Sequence, residues 1–366
     1  MSHSRNVLLT VALCSAAVAA ASLSWSAAAA DNATAKTGTK YKAGREMQEV
    51  LDTLGSMNGK PIESLEPAEA RKQPTPTDAV VAILRKQGKS TDPAVLVPGV
   101  TSKDMEFPGP AGPLPIRVYT PAGKGPFPVV VYFHGGGWVL ASKEVYDGGA
   151  RGISKEANAI VVSVDYRLAP EAKFPAQHDD SLATYKWAAA NAATLNGDPK
   201  RLAVVGESAG GNLALATAMA VRDQGLQKPV HIVSVYPIAQ LTNMATPSYV
   251  DSATAKPLNK PMMAWFVKHT LAKPDDSADP RLNLVDANLR GLPAVTLISA
   301  QIDPLRSDAD LLAAALKKAG VKVEHKSYAG TAHEFFGMAA VVPSAKDAQA
   351  LAGKRLRDAF QRAPAP

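Results

Sequence analysis

The sequence predicts an α/β fold built on a mostly parallel central sheet with helices over both faces, and three observations predict it. Continuous apolar runs at Val129 to Phe133, Ile160 to Val164 and Val230 to Val235 lack the alternation of a one-sided sheet and suit strands buried on both faces. From Ile116 onward such runs alternate with helix-like segments, the order that builds a parallel sheet with crossover helices. At Gly206-Glu207-Ser208-Ala209-Gly210 an apolar stretch, Leu202 to Val205, gives way abruptly to an alanine-rich helical one. No internal repeat is visible. Length bounds the rest, since the 366 residues, less an N-terminal leader, fit one large domain with an insertion better than two independent ones.

Taken in chain order, residues 1–30 read as a secretory signal peptide: Arg5 in a short polar start, an apolar run from Val7 to Ala20, and Ala27 to Ala30 before Asp31. Cleavage is expected after Ala30. The one cysteine, Cys14, falls inside that segment, so the mature chain carries no disulfide, which is compatible with an oxidising compartment. Residues 31–45 are expected as a flexible leader containing Lys36, Lys40, Lys42 and Arg45. Residues 46–366 then form the single domain. Met47, Val50, Leu51 and Leu54 recur at helical spacing, as do Val80, Ile83 and Leu84 after Pro74 and Pro76, with Gly88 as a stop. A third such stretch, Met263, Phe266, Val267 and Leu271, follows Pro257 and Pro261.

The strand-to-helix turn at Ser208 has the form of a nucleophile elbow. A serine attacks only when a base takes its proton, so it must stand exposed on a sharp turn within reach of other side chains. Glycines on either side let the backbone crowd that turn. Upstream, the strand run ending at Phe133 leads into His134-Gly135-Gly136-Gly137-Trp138, where glycines free backbone N–H groups to face a ligand. Acyl transfer builds negative charge on a carbonyl oxygen, and one preorganised donor there is worth roughly 3–4 kcal/mol. Gly136 and Gly137 are the expected donors, Gly135 is the competing choice, and Ala209 at the helix start adds a third. Asp303 ends the apolar run from Ala294 to Ile302, and His333 follows the run from Val321 to Tyr328. Both fall just past strand carboxyl ends, where open parallel sheets place their sites. In the order serine, acid, histidine, His333 would take the Ser208 proton and return it to the leaving alcohol while Asp303 holds the imidazole.

These segments resemble the bacterial hormone-sensitive-lipase-like family of α/β-hydrolase esterases. The resemblance rests on His134-Gly135-Gly136-Gly137-Trp138, on Ser163-Val164-Asp165-Tyr166-Arg167-Leu168-Ala169-Pro170-Glu171 through Phe174-Pro175-Ala176, on Gly206-Glu207-Ser208-Ala209-Gly210-Gly211-Asn212 and on Asp303-Pro304-Leu305. It implies an α/β-hydrolase fold, a Ser208–His333–Asp303 triad, and hydrolysis of carboxylic esters with short to medium acyl chains without metal or organic cofactor. It also implies a helical cap from about 46–90 and about 240–275. Apolar helix faces there can bury against each other above the sheet, with methionine and aromatic side chains forming a pliable wall for an acyl group. Three positions depart from the family pattern: Glu207 where Asp or Thr is commoner, Ser307-Asp308 in place of a more acidic pair, and Glu334 where glycine usually follows the histidine.

The other histidines call for different roles. His134 is expected to hold the glycine loop by hydrogen bonds, and His178, in Ala176-Gln177-His178-Asp179-Asp180, to serve a helix N-terminus. His325 alternates with Val321 and Val323 as a strand-face residue. Charge excludes little else. Loss of residues 1–30 removes Arg5 and no acid, taking the formal net charge from +7 to +6. Among the early basic residues only Tyr41 is aromatic, so nucleic-acid binding is not expected. The expected partner is a small-molecule ester, and no stable membrane association is expected once the signal is cleaved. A lipase or an acetyl-ester deacetylase would use the same side chains, since leaving-group preference lives in pocket shape. A binding protein without catalysis would be expected to lack one of the three reacting groups, and none is missing.

Overall fold

The structure is a computed structural model and describes residues 39–363. The signal peptide, its cleavage site and the leader up to residue 38 lie outside the described residues. A helical segment comes first: α1 (Arg45–Ser56), a 3-10 turn at Ile62–Ser64, α2 (Pro67–Ala70), α3 (Pro76–Lys86) and α4 (Pro93–Leu96). The sheet starts with β1 (Val100–Gly109) and β2 (Gly112–Pro121), then β3 (Phe127–Phe133), α5 (Asp147–Ala157), β4 (Ile160–Val164), α6 (Ala176–Asn191), β5 (Gly197–Glu207), α7 (Ala209–Asp223) and β6 (Ile232–Val235). A second helical excursion holds α8 (Pro247–Asp251) and α9 (Lys260–Thr270), after which β7 (Val295–Ile302), α10 (Arg306–Lys318), β8 (Val323–Ala332) and α11 (Pro343–Arg362) complete the fold.

The eight strands lie in the order β1-β2-β4-β3-β5-β6-β7-β8. β2 runs antiparallel to both its neighbours, and from β4 to β8 all pairing is parallel. The continuous apolar runs have the predicted cause. In β3, Val129, Val131 and Phe133 point into the core shared with Tyr185 and Ala188 of α6 and Leu213 and Leu215 of α7, whereas Val130 and Tyr132 point into the core shared with Ile153 of α5 and Leu356 and Phe360 of α11. Both faces are therefore covered, and each fully buried aliphatic side chain contributes about 1.5–3 kcal/mol.

The structure differs from the sequence expectation at the near edge of the sheet. Strands were expected from Ile116, yet β1 and β2 form a hairpin that begins at Val100. β1 is an edge strand whose side chains are mostly exposed and polar, so it carries no apolar run to betray it; charged edges are a common protection against further pairing. The leader also differs. From Thr39 to Gly44 the chain lies on the body: Lys40 N–H donates to Asp251 C=O (3.2 Å), Gly44 N–H to Gly330 C=O (2.8 Å), and the Arg306 guanidinium stands 4.8 Å from the Tyr41 ring centre. Lys40 Nζ is 3.7 Å from Asp251, so part of the basic cluster is matched within the chain.

Helical segments stand before β1 and between β6 and β7. Thr75 and Asp78 cap α3 reciprocally, and Asn259 Oδ1 accepts from Met262 N–H (2.8 Å) to cap α9. The two segments join: Trp265 Nε1 of α9 donates to Leu65 C=O (2.9 Å). Arg71, just after α2, ties them to the body through Val139 C=O, Ala169 C=O and both oxygens of Glu171.

Candidate active site

Ser208 sits between β5 and α7 with φ 56° and ψ −118°, a conformation costing a non-glycine residue of order 1–3 kcal/mol. The surroundings hold it there. Its N–H donates to Val235 C=O (2.8 Å), its C=O accepts from Asn212 N–H (3.1 Å), and a Cβ at Gly206 would collide with the Gly210 carbonyl across the turn and one at Gly210 with the Phe133 and His134 carbonyls at the end of β3. This is why glycine flanks the serine.

His333 and Asp303 come to it from the ends of β8 and β7. His333 Nε2 is 2.9 Å from Ser208 Oγ, and His333 Nδ1 is 2.7 Å from Asp303 Oδ2. All three are buried, Ser208 at 4% exposure being the least so. The other Asp303 oxygen accepts from Leu305 N–H (2.8 Å), which fixes the carboxylate before α10 begins. Burial pulls the His333 pKa down, but the charge and hydrogen bond of Asp303, with a smaller push from Glu334, carry it above its ordinary value.

The glycine loop faces the same place. Gly136 (φ 94°) and Gly137 (φ 59°) have backbone conformations that favour glycine, and both line the cavity that contains Ser208 and His333. The competing donor, Gly135, is not in that wall; its carbonyl accepts from Tyr166 Oη (3.2 Å) and approaches His134 Nδ1 (2.8 Å). Ala209 is the first residue of α7, where a helix supplies no acceptor for the N–H. His134 is buried, stacked on Tyr166 with ring centres 4.2 Å apart. Burial holds its pKa low against the nearby Asp165.

His178 corrects its expectation. It does not serve the start of α6: it is buried, with Nε2 3.0 Å from Asn212 Oδ1, and Asn212 Nδ2 donates to Ile238 C=O (3.1 Å). Burial lowers its pKa to about 4, so it is neutral and links α6 to the helix behind the serine. Asp308, in the first turn of α10, is likewise fully buried, accepting from Ala239 N–H (3.1 Å) and Gln240 Nε2 (3.3 Å). His325 lies on β8 with Nε2 3.0 Å from Ser299 Oγ, as a strand-face residue should.

Behind the histidine, Glu207 and Glu334 are joined to tyrosines that no motif announces. Glu207, 1% exposed, accepts hydrogen bonds from Tyr132 Oη and Tyr236 Oη, and burial pushes its carboxyl up to about 8. The Tyr236 ring packs on His333, centres 4.5 Å apart. Tyr146 Oη donates to Glu334 Oε1 (3.3 Å). Glu334 itself has φ 66°, which gives a physical reason for the glycine usual at that position. The tyrosines are scattered over the chain, and their only sequence signal is weak: Tyr236 directly follows a buried strand, at the sheet's carboxyl edge.

The cavity over Ser208 has a volume of about 270 Å³. Leu51, Leu54 and Ile62 from the first helical segment and Met262, Met263 and Phe266 from the second form much of its apolar wall. Phe266 stands directly against Gly137, where any side chain would strike its ring.

If His333 is the base, the rate rises with pH as the imidazole loses its proton, through a midpoint above the ordinary histidine value of about 6.5. The Glu334 carboxyl favours the imidazolium, so Glu334→Gln should move that limb to lower pH and leave the plateau nearly unchanged. Profiles of kcat/KM against pH for both proteins check this. Superimposable profiles would make Glu334 a spectator.

Comparison with known proteins places the chain. Residues 130–337 match the model of a family described by the alpha/beta hydrolase fold. The chain is 40% identical over 240 residues, 64% of its length and 75% of the relative's, to the carboxylesterase NlhH of Mycobacterium tuberculosis. It is 31% identical over 314 residues, 84% of its length and 92% of the relative's, to the ethyl acetate hydrolase of Pseudomonas putida. Among solved structures, a hyperthermophilic esterase from the archaeon Pyrobaculum calidifontis superposes with a TM-score of 0.78 at 33% identity, over 87% of this chain and 98% of that one. The chain is a carboxylic ester hydrolase and belongs to the hormone-sensitive-lipase-like family of α/β-hydrolase esterases.

Proposed function

We propose that this enzyme cleaves esters of short to medium acyl chains through an acyl-enzyme on Ser208, and that it is exported to the periplasm or beyond. The observation that carries the reading is the relay from Ser208 Oγ through His333 to Asp303, at 2.9 Å and 2.7 Å, at the base of an apolar cavity. His333 takes the serine proton as Oγ attacks the carbonyl carbon. The developing oxyanion accepts hydrogen bonds from the N–H groups of Gly136, Gly137 and Ala209. His333 then protonates the departing alcohol, and a water activated by the same imidazole releases the acid. A cavity of about 270 Å³ favours compact esters over long triacylglycerol chains. Export rests on the composition of residues 1–30.

The test expresses the full chain and assays the exported fraction on p-nitrophenyl esters of increasing acyl length, beside triacylglycerol emulsions and acetylated sugars. Activity should peak at short acyl chains, in a protein whose N-terminal residue is Asp31. A preference for emulsions, or for acetylated sugars, would replace this reading by a lipase or a deacetylase. Retention of the activity in the cytoplasm would remove the export.

A further inference from the structure

We infer that Gln301 is a positioning residue for the reaction, its side-chain oxygen holding a bulge in β8 that sets His333 beside Asp303; the inference rests on the reading of His333 as the base. The strand pairing contains the bulge. Ala300 of β7 pairs with Tyr328 of β8, and the next pair is Ile302 with Ala332, so Gln301 alone stands against Ala329, Gly330 and Thr331. One residue past that second pair come Asp303 and His333, whose Oδ2 and Nδ1 are 2.7 Å apart. Had the register of Ala300 and Tyr328 continued, Ile302 would meet Gly330 and Asp303 would lie beside Thr331. His333 would then fall two residues farther on, about 6–7 Å at the rise of a strand, out of hydrogen-bond reach of the acid. The relay therefore depends on the extra residues in β8.

Residues that bulge out of a ladder must satisfy their backbone groups elsewhere. Gln301 Oε1 accepts from Gly330 N–H (2.9 Å), and Gly330 C=O accepts from Gly44 N–H (2.8 Å), just before α1. Thr331 Oγ1 closes the bulge within β8 by donating to Tyr328 C=O (2.8 Å). The fit is close, since a Cβ on Gly330 would stand 2.8 Å from the Gly44 nitrogen. Gln301 is itself fixed: its C=O accepts from Arg306 Nη1 (3.4 Å), while Arg306 Nη2 donates to Asp251 Oδ2 (2.9 Å). The contact thus runs from a side chain two residues before the acid to a backbone group three residues before the histidine. Gln301 acts through the backbone of β8 and not on the reacting atoms. Misplacing a catalytic group by about 1 Å costs on the order of 10²-fold in rate, which sets the scale of the loss when the acceptor is removed.

The experiment measures kcat, KM and the pH profile of kcat/KM on p-nitrophenyl butyrate for the wild type, Gln301→Met and Gln301→Glu. Methionine has nearly the length of glutamine but no oxygen to accept from Gly330, whereas glutamate restores the acceptor. Gln301→Met should lose between about tenfold and 10²-fold of kcat, with KM within about threefold of wild type. Its rising limb should also move to lower pH. His333 faces Asp303, Glu334 and the Tyr236 ring; burial favours its neutral form and Asp303 opposes that, so a looser Asp303 lets burial prevail. Gln301→Glu should recover kcat to within about threefold of wild type, with its limb at or above the wild-type position because the added carboxylate favours the imidazolium. A kcat for Gln301→Met within about threefold of wild type would overturn the inference, as would a loss carried by KM instead. So would a loss with an unmoved limb, which would make Gln301 a support of the strand only, or a fall in Gln301→Glu as deep as in Gln301→Met. Should Gln301→Met not fold, Gln301→Asn, which draws the oxygen back from Gly330 by one methylene, decides by the same readings. A wild type with no limb between about pH 5 and 8 would remove His333 as the base and this inference with it, whereas a wild-type limb shared unchanged by the variants removes only the role of Gln301.

Discussion

Ser208→Ala should lose roughly 10³-fold or more of its turnover on a short-chain p-nitrophenyl ester, the scale seen when a member of a catalytic triad is removed, while keeping its fold. The two halves of that expectation have different causes. Activity goes because Oγ is the only atom of the residue that meets His333, and no other nucleophile occupies its place. The fold stays because the strained backbone at this position is held by its own hydrogen bonds to Val235 and Asn212 and by the close approach of Gly206 and Gly210. None of these contacts involves the hydroxyl, and alanine tolerates the same φ and ψ about as badly as serine. Kinetics together with far-ultraviolet circular dichroism check the pair of outcomes. A folded variant with activity within tenfold of wild type would place the nucleophile elsewhere. A serine-directed phosphonate should modify the wild type at Ser208 alone and leave the variant unlabelled.

The parts of this site legible in sequence are those whose chemistry forces a local pattern. A serine on a crowded turn needs small neighbours, and N–H groups aimed at a ligand need a glycine loop. Asp303 and His333 were legible for a different reason, because each directly follows a strand, β7 buried and β8 a mixed edge strand, in a sheet whose active edge is at the strands' carboxyl ends. The central strands β3 to β7 were legible because burial on both faces leaves an unbroken apolar run. The edge strand β1 was not, since its side chains face water. Buried polar side chains were harder still. His178 and Asp308 look like ordinary residues near helix starts, and only the fold brings them to Asn212 and to the Ala239–Gln240 loop. The three tyrosines around Glu207 and Glu334, Tyr132, Tyr146 and Tyr236, stand in different elements, so no local spacing records them.

Asp303→Asn should reduce turnover on the order of 10³–10⁴-fold, with substrate binding little changed. An amide can occupy the same space, but toward His333 Nδ1 it presents either a neutral acceptor or a donor. The first weakens the stabilisation of the imidazolium, and the second selects the tautomer whose Nε2 carries the proton and cannot take another. Leu305 N–H, which now donates to Asp303 Oδ1 at 2.8 Å, biases the amide to place its oxygen there and its NH₂ toward the histidine. The wrong tautomer is thus the expected outcome. Asp308→Asn makes the comparison demanding, because Asp308 is as deeply buried as Asp303 and belongs to the same segment. Burial raises its pKa to about 7, and its oxygens serve the Ala239–Gln240 loop, not the imidazole. Substitution there should cost stability before it costs turnover, leaving kcat within about tenfold of wild type. Asp310, largely exposed and 3.7 Å from His325 Nδ1, should tolerate Asn with no measurable change in kcat. Losses at Asp308 equal to those at Asp303, in variants with matched melting temperatures, would transfer the role of acid from one to the other.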